Sequence, residues 1–508
     1  MKMYKLLALI LVIALLLPVG LSVVNAAPLA QEELTYTVKL GDNLWTLAEK
    51  YLGSGPAYWA IVGATNTKYA EDSSFASIVS PNLIHPGWKL LIPSAEEAAT
   101  FATVDAISEI DPTGQEIAFW HVSTKIHEEK LLEIIDAFNS TNEWGITVKP
   151  EYGGYYGDIR EKTLAAIAAG TPPDLSIAYQ NVVAEYAEAE VVEPLDDYIA
   201  SQKYGLTAGE MADYFEAFIA GDRYPAFGNK VLSFPPNRSM EVMFYNVDWL
   251  NKLGYDGPPE TWDEFYEMCK AATDEAAGTS GYCISPSAST FAGWVWTRGG
   301  EILSADGKSV VFQEEGTEAL TFLKKLVDEG AAYQMAERYG DQTDFANELA
   351  VFTFGSTAGL PYYAQAVEGK FEWSIAPLPH ETAAPIVDMY GPSITVFQTT
   401  PEKQLASWLF LKYFTAPERT AEWAMAANYF PVRKSAAESE AMQAYFAENP
   451  LYEKAFSFLP YAKTEPTVAG WQGVRDAIYN AIIGVIAGER TPEEAIAEAV
   501  VEAEAVIQ

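Results

Sequence analysis

The stretch from residue 151 to residue 179 constrains the fold more strongly than any other part of the chain. It begins with a tyrosine-rich loop, and Asp158 is placed to cap the helix that follows. Gly170 is placed to end that helix by adopting a left-handed conformation that other residues disfavour. Two prolines then keep the backbone extended before an apolar strand, Leu175–Tyr179. The loop and the end of the strand would meet at one edge of a sheet, where open α/β sheets bind ligands.

Strands and helices alternate on the N-terminal side of this stretch. Residues 116–120 have the pattern of a strand that ends in Trp120. A helix from about Ile126 to Ser140 follows, with apolar residues at helical spacing, and then another strand at 146–148. This alternation predicts a parallel sheet with crossover helices, and therefore an α/β fold.

The composition is that of a large, acidic globular protein. The 508 residues carry a formal net charge of −38, and 49% of them are hydrophobic, which is enough for an extensive core. No basic patch is visible, so neither nucleic acid nor an anionic membrane surface is expected as a partner. We interpret the acidity as favouring solubility outside the cell.

Residues 1–26 have the pattern of a cleaved signal peptide. Lys2 and Lys5 precede an apolar run, Leu6–Leu17, and the sequence Val-Asn-Ala at 24–26 fits the small-residue cleavage rule. The alternative is a membrane anchor, which would need an apolar run of ~20 residues. We therefore expect an exported protein, located outside the cell or in the cell wall or periplasm. No cysteine lies near the end of the signal, so we expect no lipid anchor.

The chain contains only two cysteines, Cys269 and Cys283. In an exported protein we expect them to form a disulfide that closes a short loop, and two separate buried thiols are the alternative. The four histidines show no metal-ligand spacing with each other or with the cysteines. The sequence therefore predicts no metal and no cofactor.

Residues 35–93 form a small unit whose pattern predicts a strand, two helices and a second strand. The segments YTVKLGDNLWTLAEKYLG, IVGATN and LIHPGWKLLIP occur in the order and at the spacing of a LysM domain, which the unit resembles. Only the connection at 68–81 is longer than usual. The resemblance implies binding to peptidoglycan or a chitin-like glycan, and each residue involved has an alternative local role in a turn, a helix cap or the core. The residues that it places beside the glycan groove are Gly41, Asp42, Asn43, Leu44, Trp45, Ile84 and Pro86.

Residues 94–114 are rich in acidic residues and lack a strong period, and we interpret them as a semi-flexible linker. Residues 115–508 carry a second resemblance. The motifs that carry it, in order, are FWH, AAGTPPD, SFPPNRSMEVMFYN, PPETWDEF, FTFGS and NYFPVRKS. They resemble those of an extracellular solute-binding protein of an ABC importer, in the family that includes maltose-binding and glycerol-3-phosphate-binding proteins.

This second resemblance implies two α/β lobes that close on a ligand, the periplasmic-binding-protein-like fold of type II. We assign about 115–236 and 356–390 to the first lobe, and about 237–355 and 391–508 to the second. The chain is expected to cross between the lobes near Phe234–Tyr245, Phe352–Ser356 and Tyr390–Ser393.

A carbohydrate is the ligand that these features favour. Sugars bind through aromatic platforms and a few hydrogen-bonding groups, and aromatic residues make up 13% of the chain. Each aromatic candidate has packing in the core as its alternative. The predicted binding residues are Trp120, Tyr156, Tyr179, Gln180, Asn181, Ser239, Trp294, Trp296, Ser356, Gly391, Tyr429, Arg433 and Trp471.

A phosphorylated ligand, glycerol 3-phosphate or a related phosphodiester, is the main rival. It should need an arginine or a helix N-terminus at the phosphate. The region before the last helices has no arginine until Arg475, and Gly157 stands where glycerol-3-phosphate binders have a glutamate. Both features disfavour phosphate. Arg238 and Arg433 could still bind a phosphate, so a phosphorylated ligand stays an alternative. Arg433 has a surface salt bridge as its alternative role.

The function predicted from the sequence is that of a monomeric substrate-binding component that delivers its ligand to a membrane permease and is held at the cell wall by the LysM unit. It is not expected to be an enzyme. An alternative of another class is a cell-wall glycan hydrolase, because LysM units accompany such enzymes, but no hydrolase motif is present. A third, less favoured function is that of a sensory receptor that signals to a surface kinase.

Overall fold

The computed structural model describes residues 34–39, 42–53, 57–78, 84–94, 97–98, 105–305 and 307–507, except for the side chains of Trp45 and Ala106. The predicted signal peptide lies outside the described residues. The chain divides into two compact units between residues 103 and 104. No helix among the described residues combines the length and the apolar character needed to span a bilayer.

The strands are numbered in chain order. They are β1 Leu34–Thr37, β2 Lys89–Ile92, β3 Glu116–His121, β4 Thr147–Tyr152, β5 Leu175–Ala178, β6 Arg223–Tyr224, β7 Lys230–Val231, β8 Ser239–Asn246, β9 Ser280–Ile284, β10 Ala332–Gln334, β11 Ala350–Ser356, β12 Trp373–Ala376, β13 Val387–Tyr390, β14 Ser393–Val396 and β15 Ala462–Thr464.

The α-helices follow the same convention. They are α1 Leu44–Leu52, α2 Tyr58–Glu71, α3 Ile126–Thr141, α4 Tyr156–Ala168, α5 Gln180–Glu188, α6 Asp196–Ala200, α7 Ala208–Asp213, α8 Glu216–Ala220, α9 Val247–Leu253, α10 Trp262–Ala272, α11 Ala288–Thr297, α12 Gln313–Asp328, α13 Gly340–Ala346, α14 Leu360–Val367, α15 Pro401–Phe414, α16 Pro417–Ala427, α17 Lys434–Ala437, α18 Glu440–Glu448, α19 Pro450–Phe456, α20 Trp471–Ile486 and α21 Pro492–Val506.

The small unit has the predicted order of strand, helix, helix and strand. β1 and β2 pair in antiparallel register, with Leu34 opposite Ile92. The side chain of Asn43 accepts a hydrogen bond from the amide of Thr46 and so caps α1. Helix packing against the strand pair buries Leu47, among others, in a separate core.

The first lobe of the large unit is built on a four-stranded sheet in the order β14-β5-β3-β4. β3 pairs in parallel with both β4 and β5, which confirms the predicted parallel sheet. β14 adds an antiparallel edge. One local expectation was wrong: α4 begins at Tyr156, so Asp158 lies in its first turn and accepts from the amide of Tyr155 at 2.9 Å. Gly170 takes the expected left-handed conformation, with φ of 72°.

The second lobe is built on a seven-stranded sheet in the order β10-β9-β11-β8-β13-β15, with β12 paired to β8. Helices α10, α11, α12, α20 and α21 contribute to the hydrophobic core of this sheet. The core includes residues as far apart in sequence as Leu250 and Ile496. The last helices of the chain therefore belong to the second lobe, as expected.

The predicted lobe boundaries need correction in the middle of the chain. We assigned 356–390 to the first lobe, but β12 and β13 both pair with β8 in the seven-stranded sheet. We assigned everything after 391 to the second lobe, but β14 pairs with β5 in the four-stranded sheet. Phe410 of α15 also contacts Phe119 and Phe138 of the first lobe. Pairing between distant strands, which local pattern does not reveal, decides these assignments.

Two of the three predicted crossings lie where the sequence placed them. Phe234 pairs with Ile394 of the first sheet, and the chain enters the second sheet at Ser239. The chain returns between β13 and β14, at residues 391–392. The third prediction, Phe352–Ser356, was wrong because β11 lies wholly within the second sheet. The third passage instead lies between α16, which packs on the first lobe, and β15.

The C-terminal part of the predicted linker is attached to the large unit. Asp105 accepts hydrogen bonds from the hydroxyl of Ser201 at 2.9 Å and from the amide of Gln202 at 2.8 Å. The hydroxyl of Tyr204 donates to the carbonyl of Ile110. From residue 105 onwards the chain is therefore attached to the first lobe, and these residues are not a spacer.

The predicted disulfide is absent, because both cysteines are free and buried. Cys269 lies on α10 within the apolar core of the second lobe. Cys283 lies on β9, and its thiol faces the carboxylate of Asp344 at 3.8 Å. The two thiols occupy different environments, and burial raises the pKa of each. The alternative of two separate thiols was the correct one.

Candidate functional site

A cavity of about 520 Å³ lies between the two lobes. The first lobe contributes the start of α4 and the residues that follow β5, which are the parts of the chain that the opening stretch was expected to bring together. The second lobe contributes the N-terminal parts of α11 and α20 and the segment 464–467. The strand segments at which the chain crosses, including Arg238 and Tyr390, line the side between them.

Two tyrosines form an aromatic wall in the first lobe. Tyr156 is the first residue of α4, Tyr179 follows β5, and their ring centroids are 4.7 Å apart. Burial raises the pKa of Tyr156 far above its usual value, and the neighbouring hydroxyls of Tyr429 and Tyr179 raise it further. Both phenols therefore stay neutral at physiological pH and can donate or accept hydrogen bonds.

Two residues with side-chain amides, Gln180 and Asn181, come directly after Tyr179 in sequence and also line the cavity. The side-chain amide of Gln180 donates to the carbonyl of Gly391 at 3.1 Å and to the hydroxyl of Ser393 at 2.9 Å. The side-chain amide of Asn181 donates to the side-chain oxygen of Gln472 at 3.1 Å. Because Asn181 belongs to the first lobe and Gln472 to the second, this hydrogen bond joins the lobes beside the cavity.

Glu465 organises the wall of the second lobe. It accepts hydrogen bonds from the hydroxyl of Ser289 at 2.6 Å and from the indole of Trp471 at 2.8 Å. The guanidinium of Arg475 contacts both of its oxygens. Burial by itself would raise the pKa of Glu465, but the charge of Arg475 and these donors hold it below its usual value. Glu465 is therefore ionised at neutral pH.

The position of Trp471 depends on the glycine before it. Gly470 has a φ of 78°, and a Cβ atom there would lie 2.1 Å from the carbonyl oxygen of Val506. Only glycine fits this turn between β15 and α20. The turn directs the buried indole of Trp471 towards Glu465.

Arg238 is the most deeply buried cation of the site. Its guanidinium forms an ion pair with Asp222, and the two side chains are 1% and 0% exposed. It also donates to the carbonyl of Phe218 at 3.0 Å and to the hydroxyl of Ser393 at 3.2 Å. Arg238 therefore fixes the crossing segments around the cavity.

The structure places five of the thirteen predicted binding residues in the cavity lining and two beside it. Gly391 accepts from Gln180, and Tyr429 lies next to Tyr156, although neither lines the cavity itself. The five that line it are Tyr156, Tyr179, Gln180, Asn181 and Trp471.

The three other tryptophans lie outside the lining and have packing roles. Trp120 donates its indole hydrogen to Glu151 at 3.0 Å, and the ammonium of Lys162 lies 3.9 Å from the centre of its ring. Trp294 and Trp296 are buried in the core of the second lobe. Helix α11 is buried along its whole length, which the sequence-based choice of aromatic residues did not take into account.

Three predicted polar residues also lie outside the lining. Ser239 is buried in β8, and Ser356 caps a short 3-10 helix by accepting from the amide of Ala358. Arg433 is buried, with its guanidinium 3.7 Å from the centre of the Tyr214 ring. Arg433 therefore does not line the cavity, and its ion pair with Asp213, at 3.8 Å, is buried on the arginine side.

Sequence reasoning missed several residues of the lining. Arg475 was noted only because it comes late in its region, but one turn into α20 it faces the cavity. A signal was available, since Trp471 and Arg475 are four residues apart and so share one helix face. Nothing in the local sequence pointed to Ser289 or Glu465.

The predicted LysM residues have clear local roles in the part of the small unit that is described. Asp42 accepts from the hydroxyl of Tyr36 at 2.7 Å and from the amide of Lys39 at 2.8 Å. Leu44 is buried, and Ile84 packs against the core of the unit. Pro86 lies in an exposed turn. Gly41 and the side chain of Trp45 lie outside the described residues.

Comparison with known proteins places both units in families. A sequence model of the bacterial extracellular solute-binding protein family matches residues 133–450, well over half of the chain. A LysM domain model matches residues 36–93. The sn-glycerol-3-phosphate-binding periplasmic protein UgpB of Yersinia enterocolitica is 26% identical over 420 residues, which cover 76% of this chain and 90% of that protein.

Solved structures show the same fold. The GacH receptor of Streptomyces glaucescens, solved unliganded and with acarbose, has a TM-score of 0.67 at 21% identity, covering 77% of this chain and 98% of GacH. UgpB of Mycobacterium tuberculosis, in complex with glycerophosphocholine, has a TM-score of 0.67 at 22% identity with the same coverage. The chain therefore belongs to the bacterial extracellular solute-binding protein family, and it carries a LysM domain next to its two-lobed binding unit.

Proposed function

We propose that the protein captures a carbohydrate, a sugar or a short oligosaccharide, for uptake by an ABC importer. The observation that carries this proposal is the cavity between the lobes, in which Tyr156, Tyr179 and Trp471 stand beside Gln180 and Glu465. Its volume of about 520 Å³ is in the usual range for small-molecule sites. Aromatic faces suit the C–H surfaces of a sugar, and the amides and the carboxylate suit its hydroxyls.

Capture would work by closure of the lobes rather than by covalent chemistry. The ligand would contact both walls at once, so it would bind the closed form more tightly than the open form and shift the population towards closure. The hydrogen bond between Asn181 and Gln472 is available to the closed form. We propose that a membrane permease recognises this form, and that the protein acts as a monomer outside the cytoplasm.

The LysM domain would keep this binding protein near its importer. Attachment to peptidoglycan would raise the local concentration of the exported protein at the cell surface without any new contact to the permease.

The proposal predicts that a neutral sugar stabilises the purified protein. A ligand that binds only the folded state adds about 2.7 kcal/mol of stability at ~100 times its Kd. The measurement is the Tm in the presence of neutral mono- and oligosaccharides, sn-glycerol 3-phosphate and peptidoglycan fragments.

Matched variants identify the site. Y156A should abolish the ligand-dependent rise in Tm, whereas Y461A, which changes an exposed tyrosine outside the cavity, should leave it unchanged. Hydrolysis of any glycan by the purified protein, or the absence of binding to every sugar, would overturn the proposal.

A glycerol phosphodiester is the second candidate. Arg238 and Arg475 both line the cavity, and curated relatives include proteins named for binding sn-glycerol 3-phosphate. The ion pairs of Arg238 with Asp222 and of Arg475 with Glu465 support a neutral carbohydrate over the phosphodiester.

A further inference from the structure

The wall of the second lobe contains one arginine, Arg475, whose positive charge is balanced by the carboxylate of Glu465. Its guanidinium contacts both carboxylate oxygens of Glu465 and donates to the hydroxyl of Ser289 at 3.2 Å. The side chain of Glu465 is only 13% exposed, and that of Arg475 is 26% exposed. This ion pair is therefore largely shielded from water, and it faces the cavity as a unit with no net charge.

Two more carboxyl groups lie behind this ion pair. Glu241 is buried and accepts from the hydroxyls of Thr290 at 2.5 Å and Tyr390 at 2.6 Å. Asp388 is 1% exposed, and among the described residues neither of its oxygens has a hydrogen-bond partner. Burial raises the pKa of Asp388 well above its usual value, and the charge of Glu465 raises it further.

The other arginines of the lining are paired as well. Arg160 donates to Glu185 at 2.8 Å, and Arg238 is bound to Asp222. Within the described part of the lining, each of the three arginines thus has its own carboxylate. A phosphate would have to displace one of these partners, whereas a hydroxyl can accept from the arginine and donate to the carboxylate at the same time.

We infer that Glu465 makes this cavity select an uncharged, hydroxyl-bearing ligand over an anionic one. The inference rests on the proposed function and narrows it to neutral sugars and polyols. Glu465 acts by occupying Arg475 and by keeping the hydrogen bonds of Ser289 and Trp471 directed away from an incoming anion. Without its charge, the same wall would be an anion site with a guanidinium, a hydroxyl and an indole as donors.

The variant E465Q tests this role directly. Glutamine keeps the shape of the side chain and an oxygen for Ser289 or Trp471, but it leaves the charge of Arg475 unpaired. Calorimetric titration should show that E465Q binds sn-glycerol 3-phosphate and inorganic phosphate about ten to a hundred times more tightly than the native protein does, the gain expected for a charge-assisted hydrogen bond. Affinity for the neutral sugar found in the Tm screen should fall.

Two controls separate this effect from a general loss of negative charge. The double variant E465Q/R475Q should lose the gain in phosphate affinity, because the freed guanidinium is gone. E422Q removes a carboxylate from a partly exposed ion pair with Arg419 on α16, and it should leave both affinities unchanged.

The outcomes distinguish this inference from the proposed function. A native protein that prefers glycerol 3-phosphate to every neutral sugar, or an E465Q variant with unchanged phosphate affinity, would overturn the inference. If no sugar binds the native protein but E465Q gains phosphate affinity through Arg475, the carbohydrate proposal fails and the charge selection by Glu465 stands. The preference of the native protein can be measured even if E465Q does not fold.

Discussion

Arg238 lies where the chain first passes between the lobes, and it also touches the second passage. Its guanidinium reaches the carbonyl of Gly391 at 3.4 Å and the hydroxyl of Ser393 at 3.2 Å, besides its ion pair with Asp222. A single buried side chain therefore joins two crossings. Arg238 lines the cavity, but its guanidinium already forms an ion pair and hydrogen bonds with other residues of the chain.

The variant R238Q should destabilise the large unit by about 3–5 kcal/mol, because it leaves Asp222 buried without its partner. Urea unfolding followed by tryptophan fluorescence measures this change. R419Q breaks the partly exposed pair with Glu422 and should cost less than about 1 kcal/mol. If the two variants lowered the free energy of unfolding equally, burial of the Arg238 ion pair would not increase its contribution to stability.

At this scale, the sequence identified the residues whose positions follow from local structure. Tyr156 and Tyr179 line the cavity, and a helix start and a strand end fix their positions. Trp294 and Trp296 lie in the core of the second lobe and not in the lining, because aromatic content does not distinguish a buried helix from a cleft. Glu465 was missed, since its partner Ser289 lies 176 residues away in sequence and only the fold brings them together.

The connection between β13 and β14 carries the chain from the seven-stranded sheet to the four-stranded sheet, and Gly391 lies in it. Gly391 has a φ of 148°, and a Cβ atom there would lie 3.2 Å from the Cα atom of Arg238. Neither the backbone conformation nor the space suits a side chain. The two crossing segments can therefore lie against each other only with glycine at this position.

The variant G391A should lower stability by about 1–3 kcal/mol, the usual range for a residue held in a disfavoured backbone conformation. It should also weaken sugar binding, because the displaced backbone carries the carbonyl to which Gln180 donates. G257A is a suitable control, since a Cβ atom at Gly257 meets nothing within 4 Å. Unfolding curves and sugar titrations of the two variants check this, and an unperturbed G391A would contradict it.

Elements were predictable from sequence where their signals were local. Gly170 and the prolines after it set the end of α4 and the start of β5, and both were recognised. The lobe assignment of β12 and β13 was wrong because it depends on pairing with β8, more than a hundred residues earlier. The third crossing was misplaced at Ser356 for the same reason: an interrupted strand pattern does not reveal which sheet the strand joins.

The two units suggest a division of labour for the whole molecule. The small unit has its own hydrophobic core, and the large unit contains the complete cavity. Under the proposed function, one unit holds the protein at the cell wall and the other binds the ligand.

Deletion of residues 35–93 should release the protein from the cell fraction into the medium, because the LysM domain is the proposed link to peptidoglycan. Fractionation and immunoblotting measure this. The deletion variant should keep the sugar-dependent rise in Tm, which serves as the control that the large unit is intact. Retention of the variant on the cells would rule out the LysM domain as the attachment.

The chain passes three times between the two lobes of its binding unit, and this number bears on how the unit would respond to proteolysis. A protease that severs one passage leaves two covalent connections, so the halves stay in register and the nicked molecule can still open and shut. Three neighbouring connections also resist sliding and twisting more than bending. Under the proposed function, the three passages would keep the lobes joined after a single cut and would favour bending over twisting as the movement that closes the cavity.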